Sequence, residues 1–398
     1  MWGQAAAEPV ILTDALMVQR HQLGKLEAFI GATWSQSANP EFADCIRFRS
    51  YCGAGSNRRL AKAGLLDVLP CNYSQLPEFV RNRHIKVDVL MLQVAPADAA
   101  GRYSLSLAYE YLVTAIDGAR IVIAEVNDRA PRTFGERTLG AEDIDFLVPS
   151  SRAPLVSPAP PSSDVERAVA VHAATLIEDG ATLQFGIGTL PEAVLAQLTD
   201  RRELGVHTGA ITDEAARLAR AGVITNARKS IDAGVTVAGV AMGGRTLCDH
   251  IHDNADVQFR SVEYTHSAQV LSGIERFVAI NSAVEVDLTG QVNAEVAAGV
   301  YVGAVGGGGD FLRAAGRSAG GVPIIALPST AGDGDSRVSR IVVDLSGPVS
   351  TARSDAGVIV TEHGIADLRG LSLSERVKRM VAIADPEFRE SLERAAPR

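Results

Sequence analysis

The stretch VDVLMLQV at residues 87–94 decides the fold class of this sequence. It is rich in aliphatic and β-branched residues and ends just before Pro96, so it predicts a buried strand. A helix is predicted next, over residues 108–118, and the run RIVIAEV at residues 120–126 predicts a second buried strand. Near-continuous apolar strands that alternate with helices indicate an α/β protein with mostly parallel sheets covered on both faces.

The second half of the chain repeats this alternation. Asp164 can cap a helix that Gly180 ends. Helices are predicted over residues 165–179, 191–198 and 374–384, and strands over residues 182–186, 235–240, 277–281, 324–327 and 357–360. Two α/β halves of related layout predict a duplicated architecture, with the active site in the cleft between them.

Chain length and a proline-rich segment together predict two domains. The 398 residues exceed what one hydrophobic core usually organises. Residues 149–163 contain five prolines and five serines, which predicts a linker between domains at 1–148 and 164–398. The segment AAAEP at residues 5–9 reads as the middle of a βα unit, so we expect the first strand to be missing or unusually short.

Composition narrows the class of partner and the compartment. The formal net charge of −9 argues against binding to nucleic acids or membrane surfaces, since both need a basic face. The four cysteines form no CxxC pair, so neither a metal nor a disulfide is expected. The sequence has no apolar run of about 20 residues and no cationic start followed by an apolar core. We therefore expect a cytoplasmic protein.

Two glycine-rich loops are candidate anion sites. Gly186 and Gly188 lie at a strand-to-helix junction, where free backbone amides and the helix dipole could hold a phosphate; a simple tight turn explains them equally well. The run Gly306, Gly307, Gly308 and Gly309 carries a large conformational entropy cost, which is typical of loops whose amides bind anions or oxyanions. Its alternative is a flexible hairpin tip.

A third segment offers hydroxyls and arginines after a buried strand. Ser329, Arg337 and Arg340 could form a cradle for a phosphorylated cofactor. Exposed, solvated arginines are the alternative explanation.

Together, motifs spread over some three hundred residues resemble the acetyl-CoA hydrolase/transferase family, which includes 4-hydroxybutyrate CoA-transferase and succinyl-CoA:acetate CoA-transferase. The matching segments are residues 87–101, IAEVND at 123–128, 178–188, INS at 280–282, VD at 286–287, GQV at 290–292, 306–311, TEHGIADLRG at 361–370 and ADPEFR at 384–389. The resemblance implies two similar α/β domains, coenzyme A held mainly by the C-terminal one, and a homodimer or larger oligomer. It also implies that the Gly307 amide binds the thioester oxyanion, and that the start of the chain is trimmed or misassigned.

The sequence departs from this family at the position of its nucleophile. Family members use a glutamate that attacks the acyl-CoA carbonyl and forms a glutamyl-CoA thioester. The matching stretch here is GVHTGA at residues 205–210, which places Gly209 at that position. Where relatives carry an asparagine that helps to bind the oxyanion, this chain has His266. An imidazole can accept a proton or donate to an oxyanion, so we expect changed chemistry; an inactive relative is the alternative.

Other acids could replace the missing carboxylate. Glu263 lies three residues before His266 and could face the same pocket, although a structural hydrogen bond explains it better. Glu295 and Glu125 are further acids in matching segments, and Glu125 is expected to brace the site.

The sequence therefore predicts an acyl-CoA-dependent transferase that acts on the thioester carbonyl without a glutamyl-CoA intermediate at the usual position. Its substrates would be a small-molecule acyl-CoA and an acceptor. Three alternatives remain open: an acyl-CoA hydrolase with His266 as base, a conventional CoA-transferase with Glu263 as nucleophile, and a non-catalytic CoA-binding subunit.

Overall fold

The computed structural model describes residues 1–156 and 161–396. The α-helices are Val10–Leu23, Asn57–Lys62, Leu76–Arg81, Leu112–Gly118, Asp164–Ala174, Thr189–Ala196, Asp213–Arg220, Arg245–Ile251, Val262–Thr265, Ala268–Leu271, Gly308–Arg317, Leu373–Ile383 and Pro386–Ala395. Short 3₁₀ turns are Ala5–Ala7, Pro40–Asp44, Tyr73–Gln75, Ala141–Asp143 and Gly334–Ser336.

Three parallel or mostly parallel sheets form the framework. The first half holds two three-stranded parallel sheets. One consists of Leu26–Ile30, Ile46–Ser50 and Leu66–Val68, and the other of Val89–Val94, Ile121–Asn127 and Phe146–Ser150. The second half holds a six-stranded sheet in the spatial order Gly205–Val206, Thr182–Phe185, Phe277–Ser282, Val322–Ala326, Val358–Thr361, Gly364–Asp367. Only its last strand pairs antiparallel. The predicted α/β class with mostly parallel sheets is confirmed.

Smaller sheets connect the framework. Two of them have three strands, in the spatial orders Thr236–Ala238, Val257–Phe259, Phe134–Gly135 and Val292–Asn293, Glu285–Asp287, Ile341–Val342. The others are strand pairs: Ala210–Ile211 with Val240–Ala241, Tyr103–Ser104 with Thr138–Leu139, Val296–Ala297 with Val300–Tyr301, and Thr330–Ala331 with Val338–Ser339. Phe134–Gly135 belongs to the first half but pairs with Val257–Phe259 of the second, so the chain crosses between the halves before the predicted linker.

The central strands are buried because helices cover both faces of their sheet. Leu183, Ile280 and Ile324 lie on adjacent strands and none is exposed to solvent. This explains why their sequences read as apolar runs and not as alternating patterns. The carboxyl ends of these parallel strands meet at one sheet edge, which is where open α/β sheets bind ligands.

The predicted strands match the structure closely where burial is continuous, but two predicted helices were wrong in their bounds. The helix predicted over 165–179 is Asp164–Ala174, so Gly180 does not end it, and Ser163 caps it in place of Asp164. The helix expected from residue 108 begins at Leu112. Glu110 has a φ of +38°, outside the right-handed helical region, so the helix cannot extend back through it.

The start of the chain and the linker can also be compared. The expected missing or short first strand corresponds to a single parallel bridge between Trp2 and Met91. The strand Phe146–Ser150 runs two residues into the segment predicted as linker, and residues 157–160 of that segment lie outside the described residues. Within the described ranges, no helix has both the length and the apolar character needed to cross a membrane.

A buried ion pair fastens the first half. The Glu125 carboxylate, fully buried, accepts from Arg152 Nε at 2.6 Å and Ser150 Oγ at 2.8 Å. We expect Arg152→Ala to lower the free energy of unfolding by about 3 kcal/mol, because it leaves a buried carboxylate without its cation. Denaturant unfolding measures this. Arg245→Ala, which removes a fully exposed partner of Asp249, is the control and should change stability little; equal losses in both variants would contradict the account.

Candidate active site

A cavity of about 1000 Å³ lies in the cleft between the two halves. Gln4, Tyr51 and Tyr73 of the first half line one side, and residues of the glycine-rich loops line the other. The residues predicted from sequence that reach its wall are Gly186, Gly188, Gly209, His266, Gly306, Gly307 and Gly308. Most of the predicted glycines and the predicted histidine therefore line one cavity.

Local structure explains how these residues converge. Gly186 directly follows the buried strand Thr182–Phe185, and Gly307 is the N-terminal cap of the helix Gly308–Arg317. Gly306 has a φ of +59°, which favours glycine, and its carbonyl accepts from the Tyr73 amide at 3.0 Å. That hydrogen bond fixes the glycine loop to the opposite wall.

The His266 ring lies at the centre of this arrangement. Its centroid is 4.4 Å from that of Phe311 and 5.1 Å from that of Tyr73, with both rings tilted by nearly 50°. Only 5% of the residue is exposed. Two aromatic rings from different halves of the chain therefore clamp the imidazole in one position.

The ring fills space that side chains at two glycines would need. A Cβ at Gly209 would lie 3.0 Å from His266 Cε1 and 3.6 Å from the Phe311 ring. A Cβ at Gly307 would collide with His266 Nε2. The imidazole thus occupies the region into which a longer side chain at position 209 would project, and Nε2 faces the start of the helix.

The Thr265 hydroxyl lies against the Nδ1 side of the His266 ring. Thr265 Oγ1 is 2.8 Å from His266 Nδ1 and 3.1 Å from the Ser261 carbonyl. A hydroxyl has one hydrogen to donate and can also accept, so two arrangements fit these contacts. In one, Oγ1–H donates to Nδ1 and the imidazole proton is on Nε2; in the other, Oγ1–H donates to the Ser261 carbonyl and Oγ1 accepts from Nδ1–H, so Nε2 is an acceptor.

Burial keeps both site histidines neutral. Desolvation, with a smaller contribution from nearby His207, lowers the pKa of His266 to about 3. Desolvation and then the charge of Lys229 likewise lower the pKa of His207 to about 3. His207 Nε2 lies 3.1 Å from the Thr265 carbonyl, so it supports the residue that orients His266.

The glycine loop supplies amides beside Nε2. The Gly307 amide has no acceptor among the described residues, and the first amides of the helix Gly308–Arg317 have no intrahelical partner. They form a group of donors at one end of the cavity, next to His266 Nε2. Such a group can stabilise negative charge that develops on a carbonyl oxygen.

Several predicted residues lie away from the cavity wall. Glu263 is half exposed and pairs with Arg81 and Thr114, an arrangement expected of a structural ion pair. Ser329 donates its amide and hydroxyl to Glu362. The remaining predicted residues are Gly309, inside the first turn of its helix; Arg337, paired with Asp385 and Glu387; and Arg340, whose guanidinium donates to the carbonyls of Ala283 and Val284.

Sequence reasoning missed a carboxyl group next to the cavity. Glu110 is 1% exposed and accepts hydrogen bonds from Gln4 and Tyr73, both of which line the cavity. One signal could have found it: Glu110 is a lone acid between two tyrosines within the otherwise apolar residues 105–116.

Comparisons with known proteins match both halves of the chain to one family. Residues 1–155 match the acetyl-CoA hydrolase/transferase N-terminal domain, and residues 243–396 match the C-terminal domain of the same family. The chain is 38% identical to 4-hydroxybutyrate coenzyme A transferase of Clostridium kluyveri, over 98% of this chain and 92% of that protein.

Solved structures give the same result. The crystal structure of RipA from Yersinia pestis superposes with a TM-score of 0.93 at 33% identity, covering 99% of this chain and 92% of that one. The 4-hydroxybutyrate CoA-transferase of Porphyromonas gingivalis has a TM-score of 0.82 at 32% identity, covering 99% and 91%.

The fold is that of a family of enzymes whose named members act on coenzyme A thioesters. The chain belongs to the acetyl-CoA hydrolase/transferase family, whose members are CoA-transferases and acetyl-CoA hydrolases.

The close approach of His266 to Gly307 can be tested by substitution. We expect Gly307→Ala to lower the free energy of unfolding by about 1–3 kcal/mol, because its Cβ would collide with the clamped imidazole. Gly309→Ala is the matched control: its Cβ meets only Asn72 Oδ1 at 3.5 Å, and alanine favours a helix, so stability should rise by up to about 1 kcal/mol. Similar changes in both variants, measured by denaturant unfolding, would refute the packing described for His266.

The neutral imidazole predicts a pH dependence of stability. The folded pKa of His266 is about 3 and the unfolded value is near 6.5. The stability that the neutral imidazole contributes is therefore fully present above pH 6.5 and is lost as the pH falls from 6.5 toward 3. Between pH 6 and 4, wild-type protein should take up about one more proton on unfolding than His266→Asn, a slope difference of about 1.4 kcal/mol per pH unit. Parallel curves for the two proteins would show that His266 is not buried in its neutral form.

Proposed function

We propose that the protein is an acyl-CoA-dependent transferase in which an acceptor attacks the thioester carbonyl directly, without a glutamyl-CoA intermediate at position 209. One observation carries this proposal: the His266 ring occupies the space beside Gly209, where the resemblance places a catalytic glutamate. Position 209 thus has no carboxylate, and a side chain added there would press against the imidazole.

The donors of the site fit the attack on a thioester. The acceptor adds to the carbonyl carbon, and the developing oxyanion receives hydrogen bonds from the Gly307 amide and from His266 Nε2–H. Collapse of this tetrahedral species breaks the carbon–sulfur bond and releases CoA. Removing one donor of this kind typically costs a few kcal/mol of transition-state stabilisation.

A donor role suits His266 better than the role of general base. A base works best when its pKa lies near the operating pH, whereas burial lowers the pKa of His266 to about 3. A neutral imidazole can still donate from Nε2 when Thr265 Oγ1–H donates to Nδ1, which is the arrangement that this proposal requires. The low pKa of His266 weighs against hydrolysis with His266 as the base.

The cavity can also hold the phosphates of coenzyme A. The loop at Gly186 and Gly188 lines it beside the glycine run. Arg58, Arg59 and Lys62 project from one helix at its rim and are exposed. A cluster of cations at the mouth attracts an anionic ligand to a chain whose overall charge is negative.

Thiol release measures the proposed reaction. Purified protein is mixed with acetyl-CoA and, in turn, with an alcohol, an amine, a thiol or water alone, and free CoA is followed by chromatography. With a carboxylate the new CoA thioester is followed instead, because CoA transfer to a carboxylate frees no CoA. We expect free CoA to appear only with an added alcohol, amine or thiol, and His266→Ala to lower kcat by about a hundredfold or more. Full activity in His266→Ala, or release that needs no added acceptor, would contradict the proposal.

A paired substitution tests why the carboxylate is absent. Gly209→Glu alone should remain without a trappable acyl-enzyme, because the imidazole blocks the new side chain. Gly209→Glu combined with His266→Asn opens that space and should form a glutamyl-CoA thioester after exposure to acyl-CoA. Hydroxylamine trapping followed by mass spectrometry of the peptide around position 209 detects it; an adduct in the single variant would contradict the steric argument.

A further inference from the structure

Glu110 occupies a position that its surroundings impose at some energetic cost. Its φ of +38° is rare for a residue with a side chain and strains the backbone. The backbone is held there because the Tyr109 amide donates to the Gly239 carbonyl at 3.0 Å and Glu110 forms a parallel β-bridge with Ser261. Such strain persists where the structure needs a side chain in one place.

The partners of one carboxyl oxygen are fixed. Gln4 Oε1 accepts from the Ala32 amide at 2.9 Å and from the Tyr51 hydroxyl at 2.8 Å, so Gln4 Nε2 must turn toward Glu110. Oε2 of Glu110 therefore accepts from Gln4 Nε2 and from the Tyr73 hydroxyl. With both donors directed at Oε2, this oxygen is a proton acceptor in a defined hydrogen-bond network.

The other carboxyl oxygen is buried without a partner. Oε1 of Glu110 has no hydrogen-bond partner among the described residues. A buried carboxylate with an oxygen that lacks a partner is costly, and protonation of the group removes the cost of burying its charge. The group is therefore suited to holding a proton and to giving it up.

Tyr73 connects this carboxyl group to the substrate cavity. Its side chain lines the cavity and packs against the His266 ring at a centroid distance of 5.1 Å. The Tyr73 hydroxyl donates to Glu110 and accepts from Gln4 Nε2 at 2.9 Å, so one lone pair remains for a proton from the cavity. The phenol is the link between the reacting groups and the buried acid.

We propose that Tyr73 and Glu110 form the proton relay of the acyl transfer, with Tyr73 as the catalytic residue and Glu110 as the proton acceptor positioned behind it. The inference rests on the proposed function. As the acceptor attacks, its proton passes to Tyr73 Oη while the Tyr73 proton passes to the Glu110 carboxylate. When the carbon–sulfur bond breaks, the same proton returns through Tyr73 to the departing CoA thiolate, so the enzyme ends unchanged.

The groups that surround Glu110 determine its pKa. The titratable side chains around it are Tyr51, Tyr73 and Tyr111, with Glu8 and Cys52 further away and acting on Tyr111. Burial raises the pKa of Glu110 to about 8, and the hydrogen bond from Gln4 only partly offsets this. As no cation lies among these groups, the carboxylate is a stronger base than an exposed glutamate.

The test compares the pH dependence of acyl transfer in three proteins. Thiol release from acetyl-CoA with an alcohol acceptor is measured between pH 6 and 9.5 in wild type, Glu110→Gln and Tyr73→Phe. Wild-type kcat should rise with a midpoint near pH 8, and both variants should lose about a hundredfold and show no such rise. KM for acetyl-CoA should stay unchanged, whereas a merely structural defect would alter it.

Two controls separate a proton relay from misfolding. Hydroxylamine attacks thioesters as a neutral amine with little need for a base, so with it the loss in both variants should shrink below about tenfold. Glu285→Gln removes another buried carboxylate, one that Asn293 and Ser346 bond through a single oxygen, and should keep the wild-type pH profile.

Each outcome decides between the two proposals. A wild-type profile in Glu110→Gln, with transfer intact, overturns the relay and leaves the proposed function standing. An equal loss with hydroxylamine and with alcohol also overturns the relay. If wild-type protein releases no thiol with any acceptor, the proposed function fails and the relay fails with it.

Discussion

The packing of the His266 ring between Gly209 and Gly307 is the contact on which the rest of the site depends. A side chain at either glycine would meet the imidazole, so the two glycines and the histidine are sterically coupled. The resemblance to the family implies a glutamate at position 209 and an asparagine at position 266 in relatives. Under the proposed function the two exchanges belong together, because a glycine at 209 leaves space for the larger imidazole at 266.

Both halves of the chain are needed to hold that ring. Phe311 comes from the second half and Tyr73 from the first, and the hydrogen bond from the Tyr73 amide to the Gly306 carbonyl joins the two walls. The same tyrosine carries the hydroxyl that contacts Glu110. Under the proposals made above, Tyr73 therefore links the oxyanion donors of one wall to the proton acceptor behind the other.

Sequence patterns predicted the parts of this structure that depend on local burial. The strand predicted at residues 182–186 is Thr182–Phe185, and the helix predicted at 374–384 is Leu373–Ile383, because continuous apolar runs and helical spacing report burial directly. The predicted helix at 108–118 began too early, since only long-range contacts hold Glu110 at a positive φ. Glu110 could not be predicted as a site residue, because Gln4 and Tyr73, which donate hydrogen bonds to it, lie far from it in sequence.

Nitrogen NMR of the His266 ring tests the central claim most directly. Protein labelled with ¹⁵N at histidine, with His266→Asn to assign the resonances, would be recorded between pH 5 and 8. Burial predicts a neutral ring throughout this range, and the proposed donor role requires its proton to be on Nε2. A ring that becomes imidazolium with a midpoint near 6.5, the value of an exposed histidine, would contradict it.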